Sequence, residues 1–343
     1  LSDPGIYLDH AATTPMLPEA AAAMAQGFAI WANPSSPHRA GRAARAALED
    51  ARARIAAALG WTGEVILTSG ASEALALAIG RAHAPLVAVS PVEHEAVLRH
   101  AGDAVRLEVD RSGLVVPGDD VRGLVAIQHV NNETGVIQPI DALATTVRNA
   151  GGVLLADCAQ SAGKLPLPDA DLIAISAHKF GGPVGIGVLL VRDWALLRPV
   201  GGQERGYRGG TENLPGVLAM AAALEAGRDW LDHAAVLRAQ LEAAIVAGGG
   251  EVIAADAPRI ATIGACRLPG LSANAQLIRL DAQGIAVSAG SACSSGSLRT
   301  SHVLTAMGVD GAGEVIRVSI GRETRATDID RFVAAWQAMA ARA

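Results

Sequence analysis

Residues 152–179 read GVLLADCAQSAGKLPLPDADLIAISAHK. The stretch holds two short apolar runs, GVLLADCAQ (152–160) and DLIAISAHK (171–179), separated by a Gly- and Pro-containing turn region. A continuous apolar run bounded by turn formers is the pattern of a strand buried on both faces. The same pattern recurs in EVILTSG (64–70), APLVAVS (84–90), GLVAIQHV (123–130) and GIGVLLVR (185–192). Helical patterns lie between these runs, in ASEALALAIGRA (71–82) and over 91–101 and 140–150. Buried strands alternating with helices predict an α/β layer around a largely parallel sheet. From 215 to 248 the sequence turns Ala/Leu-rich, which predicts a long helix with a break, leaving the sheet. Beyond it, strand-like RIATIGACRL (259–268) and VIRVSIG (315–321) mix with helical SANAQLIRLDAQG (272–284) and ATDIDRFVAAWQAMAAR (326–342). This predicts a smaller α+β domain.

Composition narrows the classes. Half of the 343 residues are hydrophobic but only 3% are aromatic, so Ala, Val, Leu and Ile must fill the core. The net charge is -6 with no basic block, which argues against nucleic-acid binding. The longest stretch free of charged residues, Ala20 to His38, contains Asn33, Pro34 and Pro37 and is no membrane span. The chain opens with Asp3 and Pro4 rather than a basic and then apolar leader, so a cytoplasmic protein is expected. Three scattered cysteines make neither a disulfide framework nor a metal-ligand pattern. Of the 28 basic residues only Lys164 and Lys179 are lysines. Lysine, unlike arginine, becomes a nucleophile when its pKa falls.

In sheets of this kind ligands gather at the carboxyl ends of the strands. Gly70, Ala71 and Ser72 mark a strand-to-helix turn whose free N–H groups suit a phosphate, although an ordinary helix cap would look the same. Asp157 closes a buried run and needs a cation or several donors. The protonated ring nitrogen of pyridoxal phosphate is one such cation. Gln160 follows three residues later. Lys179, at the end of its strand, is placed to be desolvated for Schiff-base chemistry, with Ser176 and His178 beside it. Lys164, in a turn before Pro166, reads as structural. His94 offers a flat ring to stack and nitrogens to move protons, or simply starts a helix. Asn131 and Asn132 offer amides to a polar ligand. Arg205, Arg208 and Thr211 occupy a Gly-rich loop that meets either an anion or only solvent. In SAGSACSSGS (288–297), Cys293 sits among residues with little side chain to bury it, unusual for a free cysteine.

Nine motifs occur in the order seen in cysteine desulfurases of the NifS/IscS type, which are class-V aminotransferase-like enzymes. They are YLDHAATTP (7–15), NPSSPH (33–38), TSGASEAL (68–75), EHEAV (93–97), HVNNETG (129–135), DCAQSAGKLP (157–166), SAHKFGGPVGIG (176–187), RGGTEN (208–213) and SAGSACSSGS. The chain resembles that family from about residue 5 to 325. The resemblance implies the pyridoxal-phosphate fold type I, with a mostly parallel mixed sheet in a large domain (14–233). A small α+β domain (1–13 and 234–343) would carry the Cys293 loop. It implies that Lys179 carries the cofactor and moves the Cα proton, that Asp157 pairs with the ring nitrogen, and that Gln160 meets the ring hydroxyl. His94 would stack on the ring and act in catalysis, and Ala71, Ser72, Ser176 and His178 would hold the phosphate. Thr211 would reach the phosphate of a neighbouring subunit in a homodimer. Asn132, also beside the cofactor, and Arg317 would hold the substrate carboxylate. Cys293 would be the nucleophile that takes sulfur from L-cysteine as a persulfide, leaving L-alanine. A sulfur-acceptor or iron–sulfur scaffold protein is the implied partner.

Departures from the family pattern are small. Ser72 stands where Thr is frequent, and SAHK replaces SGHK. The sequence ends 21 residues after Arg322, short of the tail with which housekeeping members meet their scaffold, so a specialised desulfurase is the expectation. Cys158 and Cys266 match no catalytic position and read as small buried hydrophobes. The alternatives are a selenocysteine lyase or another class-V lyase or aminotransferase. A non-catalytic assembly subunit would have lost Lys179, Asp157 or Cys293, and all three are present.

Overall fold

The computed structural model describes residues 5–116, 121–290 and 300–341. From the amino terminus the elements are β1 (Ile6–Tyr7), α1 (Pro18–Ala29), α2 (Arg39–Leu59), β2 (Glu64–Thr68), α3 (Ala71–Arg81), β3 (Leu86–Val89), α4 (Glu95–Leu98), β4 (Val105–Arg106), β5 (Leu124–Gln128), α5 (Ile140–Asn149), β6 (Val153–Asp157), β7 (Leu172–Ser176) and β8 (Gly187–Val191). They continue as α6 (Leu214–Glu225), α7 (Leu231–Ala247), β9 (Glu251–Val252), β10 (Ile263–Arg267), α8 (Ala273–Asp281), β11 (Ile285–Ala286), α9 (His302–Ala306), β12 (Val315–Ser319) and α10 (Ala326–Ala340).

Seven strands form one sheet in the order β2-β8-β7-β6-β5-β3-β4. The pairs from β7 through β6, β5 and β3 to β4 are parallel. Strand β8 runs antiparallel to both of its neighbours. Its link to β7 spans only 177–186, too short for the crossover that a parallel pair requires. Alternate side chains of each central strand enter different cores. Val125, Ile127, Leu154 and Ala156 join one that includes Leu48, Ile55 and Met220 from α2 and α6. Leu124, Ala126 and Leu155 join another with Leu75 and Ala78 of α3. Burial on both faces explains why these strands read as unbroken apolar runs.

The expected long helix over 215–248 is two helices. Helix α6 ends at Ala226, and Gly227 follows at φ +75°, a left-handed conformation that terminates a helix at little cost to glycine. Helix α7 then packs with α8, α10 and the antiparallel sheet β12-β10-β9, around a third core that contains Leu241, Phe332 and the fully buried Trp336. The expected helix over 91–101 is α-helical only at α4. Residues 91–94 follow another path, which places the Glu93 carboxylate on the Gln128 N–H at 2.5 Å. Among the described residues no helix is long and apolar enough to cross a membrane.

Two interior histidines make the fold acid-sensitive. His10 and His129 are each 8% exposed, and burial pushes both from the ordinary 6.5 down to about 4. Between those values the unfolded chain binds more protons than the folded one, so stability is full above about pH 6.5 and falls toward pH 4. At pH 5 the loss is about 2 kcal/mol per histidine. Urea midpoints at pH 7 and pH 5 test this, and His129→Gln should show a smaller loss between the two.

Candidate active site

Strands β2, β3, β5, β6 and β7 end on the same side of the sheet, and their carboxyl ends surround a cavity of about 360 Å³. Ala71, Ser72, His94, Asn132, Asp157, Gln160, Ser176, His178, Lys179 and Arg317 all line it. Residues spread over some 250 positions of sequence are thus brought together, as the motif reading expected.

At one end, Gly70 adopts φ +146° and lets β2 turn directly into α3, so that the N–H groups of the helix start face the cavity. Glu73, one turn in, is held below the usual carboxylate range chiefly by the Arg208 guanidinium, which overcomes its partial burial. At the other end, Asp157 is 7% exposed and accepts from the Ala159 N–H at 2.9 Å. Burial raises its pKa, and Ala159, His94 and Lys179 oppose that rise. Gln160 donates from Nε2 to the Ala11 carbonyl at 2.8 Å, which fixes the amide and leaves its buried Oε1 without a partner among the described residues. His94 accepts the Ala96 N–H at Nδ1, 3.1 Å, which places its proton on Nε2 when neutral. Burial lowers its pKa. It is therefore both the helix-capping histidine and a cavity wall. Lys179 Nζ donates to the carbonyls of Ala11 and Ala12, at 2.7 and 2.8 Å.

Arg317 enters from β12 in the second sheet. It donates to the Asn132 carbonyl at 2.9 Å and to Asp9 Oδ1 at 2.7 Å. The sequence reading did not single out Asp9, although YLDHAATTP contains it, because nothing local links it to a residue 308 positions away. It also missed Glu93, which follows β3 and reaches Gln128 of β5, the residue in register with Asp157. The two adjacent asparagines divide their roles. The Asn131 Oδ1 accepts from the N–H groups of Glu133 and Thr134 and from the Thr134 hydroxyl, so its side chain builds the turn. Only Asn132 lines the cavity. Arg205 and Arg208 are tied to Glu64 and Glu73, and Thr211 is exposed and does not line the cavity of its own chain. Cys293 lies outside the described residues. Cys158 and Cys266 are fully buried, and burial pushes both thiols up, Cys266 to about 12.

These side chains fit pyridoxal phosphate. A helix start with hydroxyl donors suits its phosphate, a buried acid suits its ring nitrogen, the unpartnered acceptor of Gln160 suits its ring hydroxyl, and a strand-end lysine suits its aldehyde. The aminotransferase class-V family model matches residues 6–332. The chain belongs to this family, as a cysteine desulfurase of the NifS/IscS type. The family is pyridoxal-phosphate-dependent. A cysteine desulfurase of Cereibacter sphaeroides is 36% identical, covering 96% of this chain and 94% of its own. A solved NifS-like protein superposes with TM-score 0.88 at 28% identity, covering 99% of this chain and all of its own. The structure of SspA in complex with cysteine gives 0.77 at 29% identity, over 92% of this chain and 98% of its own.

Asp9 orients Arg317, the residue that the resemblance implies for the substrate carboxylate, so on that expectation Asp9→Asn should act on substrate binding. A charge-assisted hydrogen bond contributes about 1.5–3 kcal/mol, which corresponds to a rise in KM of about tenfold or more. The expected result is a raised KM for L-cysteine with kcat changed much less, measured by alanine release.

Proposed function

We propose that this desulfurase converts L-cysteine to L-alanine with Lys179, Cys293 and His94 as its catalytic residues. The observation that carries the assignment is the convergence of Lys179, Asp157, His94 and Arg317 on one cavity. Ala71, Ser72, Ser176 and His178 would hold the cofactor phosphate, and Asp157 and Gln160 its ring. Arg317 and Asn132 would hold the substrate carboxylate. When bound, pyridoxal phosphate supplies an electron sink that makes bonds around the substrate Cα breakable.

In this reading Lys179 takes the Cα proton, and the backbone carbonyls of Ala11 and Ala12 steer its amine. His94 stacks on the ring and exchanges protons from Nε2. The Cys293 thiolate, the reactive form of a cysteine, attacks the substrate sulfur. A new S–S bond then replaces the C–S bond, leaving a persulfide on Cys293, and the three-carbon remainder takes up protons and leaves as L-alanine. The flanks of the Cys293 segment support this role. Ser288 pairs with Arg317 through two backbone hydrogen bonds, and Ser301 donates to Glu133 beside Asn132.

The relatives' names support sulfur delivery to iron–sulfur assembly through an acceptor protein. A homodimer is proposed in which Thr211 of one subunit serves the phosphate site of the other, a role its exposed position off the cavity allows. Two domains are proposed, a large one over 14–233 and a small one over 1–13 and 234–343, and the separate cores around the seven-stranded sheet and around Trp336 support this division. A cytoplasmic location accords with a reducing compartment for three thiols.

Cys293→Ala provides the test. The variant should retain pyridoxal phosphate and its visible absorbance while losing cysteine-dependent release of alanine and sulfur. Full turnover in that variant would overturn the persulfide route and favour a lyase of the selenocysteine type.

A further inference from the structure

Lys164 is the second lysine of the chain, and the chemistry above leaves it unused. It is 5% exposed, and among the described residues its ammonium has no hydrogen-bond or ion-pair partner. It lines a second, smaller cavity of about 20 Å³ that lies behind Lys179. Lys179 and Ala11 line both cavities, so Lys179 stands in the wall between them.

Among the described residues, two further polar groups of this small cavity lack hydrogen-bond partners, the buried His10 Nδ1 and Thr262 Oγ1, in residues 8% and 2% exposed. Arg322 also lines the space, donating to the Ala226 and Gly227 carbonyls, and among the described residues no carboxylate does. Buried polar groups are normally satisfied by protein or by ordered water. A cavity of roughly 10–15 Å³ on this measure holds one water, provided two to four polar groups surround it. The space has that size and those groups.

We infer that this cavity holds an ordered water through which Lys164 exchanges a proton with Lys179, making Lys164 the proton reserve of the cofactor lysine. In the step, water accepts a proton from the Lys179 ammonium and gives one of its own to the Lys164 amine. One amine becomes neutral, the other becomes charged, and the water is unchanged. The inference rests on the reading of Lys179 as the cofactor lysine.

The electrostatics agree with the geometry. Burial first, and the charge of Lys179 second, lower Lys164 to about 7. The charge effect is mutual, so a charged Lys164 favours the neutral amine at Lys179. The water lets the proton sit on Lys164 while Lys179 is neutral. The groups lining the small cavity with Lys164 are His10, Lys179 and Arg322, and those lining the larger cavity with Lys179 are Glu73, His94, Asp157, His178 and Arg317. His10 stays neutral, lowered to about 4 by burial and by Lys164.

The test is the pH dependence with which the apoenzyme captures pyridoxal phosphate, followed by absorbance in the wild type, Lys164→Met and Lys164→Gln. Removing the second amine takes one positive charge away from the surroundings of Lys179, so both variants should move the midpoint upward by about one pH unit or more. At pH 7 capture should slow by about tenfold. Melting curves establish that each variant is folded, and the polar Gln variant serves if the Met variant is not. Unmoved midpoints overturn the inference. So does a bromide peak in the small cavity of soaked crystals, which would make it an anion site. Failure of the underlying reading looks different: Lys179→Ala would then give the wild-type absorbance, whatever residue 164 is.

Discussion

Two carboxyl groups buried at the carboxyl ends of β3 and β6, on either side of β5, constrain the whole site. Glu93 and Asp157 reach the same edge of the sheet, joined through Gln128, whose N–H binds Glu93 and whose Cα pairs in register with Asp157. Two acids in so dry a place do not both ionise readily. Glu93 lies well above the usual carboxylate range, through burial first and Asp157 second. Asp157 is the one of the two that lines the cavity. Glu93 is also adjacent in sequence to His94, so its fixed carboxylate helps to place the cavity-lining His94.

The N-terminal segment connects this edge to the second sheet. Within four residues it supplies the Asp9 carboxylate to Arg317, the Ala11 carbonyl to both Gln160 and Lys179, and the Ala12 carbonyl to Lys179. The Ser319 hydroxyl in turn accepts the Ala11 N–H at 2.9 Å. Arg317 and Lys179, proposed to hold the substrate and the cofactor, are therefore placed against one short piece of backbone. Their relative position does not depend on side-chain packing alone, and such placement is what catalysis by orientation needs.

Much of this was legible in the sequence, and the reasons are specific. Central strands are apolar on both faces, so runs such as 153–157 and 172–176 stand out, and functional residues at their ends are located with them. The antiparallel direction of β8 was not legible from its apolar run, because direction changes hydrogen bonding and not burial. The break after α6 was expected and is marked by a glycine, but in an Ala/Leu-rich stretch the helical pattern on either side does not fix its position. Lys164 read as a turn residue because its burial comes from α6, the N-terminal segment and residues near 320, all distant in sequence. Asn131 and Asn132 are chemically identical, and only the turn geometry separates a structural amide from a cavity-lining one.

The same tertiary logic bears on the thiol. Ser288 is fastened to the backbone of Arg317, and Ser301 and His302 are fastened to Glu133 and to the carbonyl of Glu93. Cys293 lies five residues from the first anchor and eight from the second. Five extended residues reach at most about 17 Å, and eight about 27 Å. Both anchors adjoin cavity-lining residues, Arg317 at the first and Asn132 and His94 at the second. In the proposed reading, the segment that carries the nucleophile is thus tied at both ends beside the residues proposed to hold the substrate and the ring.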